Sequence, residues 1–146
     1  MARDFTKDAS NVLDMGANAI NPLISGAAAV SIHGWINLDS TDVGTSDNRV
    51  LMTLIDDINN TSIMLGINGA AGTRKIRVRG RSVAADAIQT GDGTTDLSLS
   101  TWYSLGGVLN YTGDTITPYV NGVAEGGGAV TFANNTYTTG TTPTDE

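Results

Sequence analysis

Apolar and polar positions alternate with a period of two over most of this chain, which is the pattern of half-buried β-strands. Gly, Asn or Thr interrupts every window that is long enough for three turns of helix. Turn-forming residues separate the alternating runs. The predicted strands are 3–6, 11–15, 29–38, 49–55, 62–67, 74–81, 101–110, 115–120 and 123–132. The sequence therefore predicts an all-β protein, a two-sheet antiparallel β-sandwich.

The clearest turn signal is Asn121-Gly122, which lies between the runs "ITPYV" and "VAEGGGAV". A two-residue type I′ turn needs positive φ at both central residues, and Asn-Gly adopts it at low cost. The segment "NYTGD" makes a second tight connection just before it. Residues 101–132 are therefore predicted to form a three-stranded antiparallel meander.

The segment "WYSLGGVLNYTGDTITPYVNG", residues 102–122, resembles the central signature of laminin-G-like and pentraxin-like domains of the concanavalin A-like jelly roll. The stretches "VSIHGWINLDS" and "FTKDASNVLDMG" are similar to two earlier strands of the same domains. The resemblance implies a jelly-roll domain over residues 1–132. The remaining residues, 133–146, are polar and low in complexity, which predicts a tail that is flexible or held by a partner.

The N-terminus adds an expectation about the setting of the protein. A start Met that leads directly into the first strand of such a jelly roll resembles bacteriophage structural proteins. The first sixteen residues contain no apolar stretch as long as a secretion signal needs, and no later window resembles a membrane span. We therefore expect a virion protein that decorates a capsid or belongs to a tail or fibre. Its partners would be other capsid or tail subunits, in a homo-oligomer, with no membrane contact.

Composition excludes several classes of function. The chain has 146 residues, which suits one domain. A net charge of −7 argues against nucleic acid as the main partner, because gripping phosphates needs a surplus of cations. The absence of cysteine excludes disulfides, thiol catalysis and Cys-ligated zinc.

Motifs for catalysis are also missing from the sequence. A retaining glycosidase needs two carboxyl groups about 5 Å apart, yet the chain has only two Glu, at positions 125 and 146. His33 is the single histidine, and there is no Gly-x-Ser-x-Gly elbow and no phosphate-binding loop. The sequence predicts a protein that is not an enzyme.

One strand face offers a candidate ligand site. His33, Trp35 and Asn37 alternate along the 29–38 strand and so point to one side of it. A Trp beside polar groups commonly stacks a sugar ring, which gives an alternative function as a carbohydrate-binding, lectin-like module. The interpretation that we favour from sequence is that loops or a neighbouring strand cover Trp35, with His33 satisfied locally.

Calcium is the one candidate cofactor. Concanavalin A-like domains, which this sequence resembles, often hold calcium between loop carboxylates and carbonyls. Its candidate ligands are the pair Asp56 and Asp57 and the pair Asp92 and Asp96. Neither pair has the alternating Asp-x-Asp-x-Asp-Gly spacing of a closed calcium loop, and Asp-Gly loops are more often plain turns.

A cluster of cations stands out in this acidic chain, because five of its eight Lys and Arg lie within residues 74–81. On a strand, Arg74, Ile76 and Val78 would point to one face, with Ile76 and Val78 on the core side, and the other four cations would point to the opposite face. The cationic face would consist of Lys75, Arg77, Arg79 and Arg81. It is interpreted either as a solvated outer face or edge that pairs with cross-strand Asp, or as a docking face for an acidic neighbouring subunit. Binding of nucleic acid is disfavoured because no aromatic residue lies between the arginines to stack bases.

Overall fold

A computed structural model describes residues 24–38, 49–57, 60–68 and 73–138 of the chain. In chain order the strands are β1 (Ala29–Asn37), β2 (Arg49–Asp57), β3 (Asn60–Asn68), β4 (Lys75–Gly80), β5 (Gln89–Asp92), β6 (Trp102–Asn110), β7 (Thr115–Val120), β8 (Val123–Ala124) and β9 (Gly128–Ala129). The predicted strands at 3–6 and 11–15 lie outside the described residues. Within the described ranges, no helix has the length and hydropathy to cross a membrane.

The strands form two antiparallel sheets. Sheet A has the order β1-β6-β7-β8, with β9 also paired to β7, and sheet B has the order β2-β3-β4-β5. Every strand pair is antiparallel. The predicted all-β class and the two-sheet antiparallel sandwich are therefore confirmed.

The core lies between the sheets and follows the alternation in the sequence. In β4 and β7 every second residue is buried. Burial of each large aliphatic side chain stabilises the fold by about 1.5–3 kcal/mol, so this alternation fixes which face of each strand turns inward. The aliphatic side chains with no exposed surface are Leu65, Ile76, Val78, Leu97, Leu105, Leu109 and Ile116.

The hairpin around Asn121-Gly122 has the predicted form. The two residues have φ values of 51° and 80°, as a type I′ turn requires. Strands β6, β7 and β8 then pair in succession, which confirms the predicted meander. The predicted strand 123–132 is wrong in extent, because Gly126 and Gly127, with φ of 61° and 75°, turn the chain between β8 and β9.

The chain beyond residue 132 continues to pack against the sandwich. Tyr137 is 1% exposed, and its ring centroid lies 6.0 Å from that of Tyr111. Its N–H donates to the carbonyl of Ala27, and its carbonyl accepts from the N–H of Gly26, both at 2.8 Å. The stretch 133–138 is thus part of the packed domain, whereas residues 139–146 lie outside the described part, where a flexible or partner-held tail stays a prediction.

Candidate ligand groove on sheet A

The outer face of sheet A carries a groove of about 330 Å³. It lies where β1, β6 and β7 run side by side, so its floor is the surface of the sheet. The residues that line it are Ser31, Ile32, His33, Ser104, Gly106, Gly107, Val108, Tyr119 and Gly122. Of the three predicted ligand residues, His33 lines the groove directly.

The centre of the groove is a row of three residues in register across three strands. Gly106 is paired with His33 on one side and with Tyr119 on the other. Because neighbouring strands lie about 4.8 Å apart, the backbones of His33 and Tyr119 are about 10 Å apart. Gly106 has no side chain, so the imidazole and the phenol ring form two walls with an open floor between them.

The two adjacent glycines of β6 have different surroundings. A Cβ built on Gly107 would lie 2.5 Å from Cγ2 and 2.7 Å from Cγ1 of Val78, inside the core. A Cβ built on Gly106 would meet nothing closer than the carbonyl oxygen of Ile32 at 3.6 Å. Core packing therefore requires glycine at 107 but not at 106, where the missing side chain only keeps the groove open.

The imidazole of His33 is held in place by a short chain of hydrogen bonds. Its Nε2 lies 2.7 Å from the Ser104 hydroxyl oxygen. The Ser104 N–H in turn donates to Oδ1 of Asn121 at 3.0 Å, and the Asn121 N–H donates to the Ser104 carbonyl at 2.8 Å. His33 is thus satisfied locally, as the favoured interpretation predicted, and the hairpin turn positions this wall of the groove.

Two tryptophans extend the outer face beyond the groove. Trp35 is 62% exposed and Trp102 is 57% exposed, so the interpretation that Trp35 is covered is wrong. Trp35 is paired with Ser104, and Asn37 is paired with Trp102. The two indoles are therefore diagonal neighbours on one face, with Cα atoms about 7–8 Å apart. Asn37 is also exposed on this face, next to Trp102, but it does not line the groove.

Several residues of this surface were not predicted as site residues, among them Trp102, Ser104, Gly106 and Tyr119. The alternation of the 101–110 segment could have placed Trp102 and Gly106 on one face with Ser104. Only the register between strands shows that this face is the one that His33 and Trp35 share.

Part of the predicted cationic face is found on the outer side of sheet B. Lys75, Arg77 and Arg79 alternate with buried residues of β4 and so share the outer face. Arg81 does not belong to it, because β4 ends at Gly80 and the Arg81 side chain is only 4% exposed. Its Nη1 donates to the Ala84 carbonyl at 2.7 Å. The prediction for Arg81 is therefore wrong. Since β4 lies between β3 and β5, the face is also not at an edge of the sheet.

One of the remaining cations is neutralised across the sheet. Arg77 donates from Nε to Oδ1 and from Nη2 to Oδ2 of Asp92, each at 2.7 Å. These hydrogen bonds lower the pKa of the Asp92 carboxyl and raise the pKa of Arg77. This is the cross-strand pairing with Asp that one interpretation of the cluster proposed.

The carboxylates of Asp92 and Asp96 each have a different partner from the protein itself. Asp92 is paired with the Arg77 guanidinium, whereas Oδ1 of Asp96 accepts the N–H of Arg74 at 2.7 Å. The side chains of Asp56 and Asp57 lie outside the described part, although their backbones belong to β2. Among the residues that the structure describes, no three His, Asp or Glu side chains are grouped so that they could hold a metal ion.

Comparison with known proteins identifies the family. The family sequence model of the concanavalin A-like lectin/glucanase superfamily matches residues 14–143, which is most of the chain. The chain therefore belongs to this superfamily, and the resemblance of its sequence to concanavalin A-like domains is confirmed. No curated protein matches the chain. Because the superfamily is named for both lectins and glucanases, membership establishes the fold, and the activity depends on the chemistry of the site.

Proposed function

We propose that this member of the concanavalin A-like superfamily is a non-catalytic carbohydrate-binding module whose ligand lies in the groove on sheet A and extends over the adjoining Trp35 and Trp102. The observation that carries the proposal is the exposure of Trp35 and Trp102, at 62% and 57%, on the face that bears the groove. Large apolar surface that stays exposed in a folded protein commonly marks a binding site. Flat indoles stack on the C–H faces of sugar rings.

Polar groups beside the aromatic rings complete a surface suited to sugars. Ser31 and Ser104 bring hydroxyl groups to the groove, and His33 brings its ring, whose Nε2 is bonded to the Ser104 hydroxyl. Sugar hydroxyls both donate and accept hydrogen bonds, so this mixture can fix the orientation of a ring that aromatic contacts hold. The groove therefore offers both kinds of contact that a sugar ring needs.

The absence of catalysis is part of the proposal and is supported by the carboxylates. Among the described residues that line the groove, none has a carboxyl group. Glu125 accepts from the Thr95 hydroxyl at 2.6 Å and from the Thr95 N–H at 2.7 Å, with further bonds from Thr94. These bonds lower the pKa of Glu125. A glycosidase needs a carboxylic acid with a raised pKa to protonate the leaving group, so Glu125 is unsuited to that role.

Replacement of either exposed tryptophan is expected to weaken sugar binding at least tenfold without unfolding the protein. Loss of one aromatic stacking contact is worth about 0.5–1.5 kcal/mol beyond the lost area, and 1.4 kcal/mol corresponds to a factor of ten. The measurement is isothermal titration of Trp35→Ala and Trp102→Ala with the oligosaccharide that binds best in a glycan panel.

The matched control is Val123→Ala, because Val123 is 64% exposed but does not line the groove. This variant should bind like the native protein. The proposal is refuted if both tryptophan variants keep the native affinity. It is also refuted if the native protein binds no sugar in the panel.

A second candidate function is assembly into a virus particle, as a capsid-decorating, tail or fibre subunit. The observation that favours a subunit contact is Arg79, whose Nε is buried and has no hydrogen-bond partner. A buried donor without an acceptor costs about 1–3 kcal/mol. Arg79 as a whole is only half-buried, so a carboxylate of a neighbouring subunit on the outer face of sheet B would pair with its guanidinium.

Reversal of Lys75 and Arg79 to Glu is expected to leave the monomer folded and to weaken self-association, more at low salt than at high salt. Arg77 is left intact, because a Glu at that position would face Asp92 and disturb the sheet itself. Sedimentation at two ionic strengths measures the effect. If self-association is unchanged at both ionic strengths, this face of sheet B is a solvated surface and not a subunit contact.

A further inference from the structure

The described strands of sheet A have no formal charge. Strands β1, β6, β7, β8 and β9 contain no Asp, Glu, Lys or Arg. Every Lys and Arg that the structure describes lies in β2 or β4 or directly beside β4, and so belongs to sheet B. A ligand in the groove therefore meets uncharged groups and the His33 ring, with no fixed cation among the lining residues.

An anionic sugar would bind poorly on such a surface. Taking a carboxylate or sulfate out of water costs up to several kcal/mol where no opposite charge pairs with it, and the hydroxyl groups of the groove supply no such charge. The whole chain has a net charge of −7, which adds a weak repulsion at long range. A neutral sugar has neither penalty.

The floor of the groove adds a second constraint, through Gly106. Glycine inside a strand destabilises it by about 0.5–1 kcal/mol relative to alanine, and core packing does not require it here, because a Cβ would fit at 3.6 Å or more. Any larger side chain at this position would stand between His33 and Tyr119 and fill the space between them. The need for an open groove therefore accounts for a glycine at a position where it destabilises the strand.

From these observations we propose that the groove selects uncharged sugar chains, with Gly106 as the specificity-determining residue that admits a sugar ring between His33 and Tyr119. The proposal rests on the carbohydrate-binding function proposed above. It names the chemical class of the ligand, and it assigns selectivity to the lack of charge on one sheet and to a single missing side chain. No metal ion takes part in this recognition.

The test compares neutral sugars with anionic relatives. Titration calorimetry would use two pairs, namely galacturonate oligomers against their neutral methyl esters, which differ at the carboxyl group alone, and N-acetyllactosamine against its sialylated form, which also adds a sugar residue. The neutral member of whichever pair binds should bind at least tenfold more tightly, with an affinity that is the same at low and high salt and with or without a chelator. Equal or tighter binding of the charged members would overturn the proposal.

Three variants test the residues. Gly106→Val should reduce the affinity for the neutral oligomer at least tenfold while the melting temperature is kept, and Gly106→Ala, whose Cβ fits, should fold in any case and show an intermediate loss. Ser31→Lys places a cation in the groove and should raise the affinity for the anionic oligomer. Native affinity in both Gly106 variants would overturn the role of Gly106.

The outcomes separate this proposal from the one on which it rests. If no sugar of either kind binds, both proposals fall. If sugars bind and Trp35→Ala abolishes the binding, but charged and neutral forms bind equally, the carbohydrate-binding function holds and only the selectivity is refuted.

Discussion

Replacing Gly107 by alanine is expected to lower the free energy of unfolding by about 2–3 kcal/mol, at the upper end of what overpacking a core costs. The added methyl group would lie 2.5 Å and 2.7 Å from the two methyl groups of Val78, a residue with no exposed surface. Neither strand can move away easily, because β4 and β6 each have a neighbouring strand on both sides. Urea denaturation followed by far-ultraviolet circular dichroism measures the change.

The adjacent substitution is the matched control. Gly106→Ala adds the same methyl group on the other face of the same strand, where nothing lies within 3.5 Å, and should change the stability by less than about 1 kcal/mol. Combining Gly107→Ala with Val78→Ala should recover part of the loss, because the second change removes the clashing methyl groups. Equal losses from the two glycine substitutions would show that the two positions do not have the separate roles assigned to them.

Replacing Asp86 by alanine is expected to cost about 2–3 kcal/mol, although Asp86 lies in a loop. Its Oδ2 accepts from the Ser82 hydroxyl and from the Ala133 N–H, each at 3.0 Å, and so connects the segment after β4 to the C-terminal segment. Ser82 has no exposed surface, so its hydroxyl cannot turn to water when the carboxylate is gone. Hydrogen bonds to a charged group contribute about 1.5–3 kcal/mol, and a buried group left unsatisfied is costly.

Asp96 provides the comparison for this prediction. Its carboxylate accepts the N–H of Arg74 at 2.7 Å in an exposed setting, where water can replace the lost acceptor. Asp96→Ala should therefore cost about 1 kcal/mol or less in the same denaturation experiment. If the two aspartates proved equally important, burial of Ser82 would not be what makes Asp86 necessary.

The sequence predicted those parts of the fold that depend on local patterns. Alternation located β1, β6 and β7 within one residue at each end, and Asn121-Gly122 located the hairpin. Strand β5, "QTGD", was not predicted, because it has no apolar alternation and is a strand only through its pairing with β4. Arg81 was placed on the wrong face because the prediction extended the strand one residue beyond Gly80.

Only part of the candidate site could be predicted from the sequence, for a related reason. The period of two shows that His33 and Trp35 share a face of β1, but not which strand lies beside them. Their neighbours in the sheet, Gly106 and Ser104, come from β6, far along the chain. Pairing between distant strands depends on the whole arrangement of the sandwich, so the groove becomes visible only in the assembled sheet.

The two sheets also differ in when they can form during protein synthesis. Sheet B joins four strands that follow one another along the chain, so each can pair with the previous one soon after both leave the ribosome. Strand β1 is made before all of them, yet it must wait for β6, and the segment before it must wait for Tyr137. Contacts between distant segments form slowly because the chain between them must first be closed into a loop. We therefore expect sheet B to pair first, and the sheet that bears the groove to close only after β6 and Tyr137 have been made.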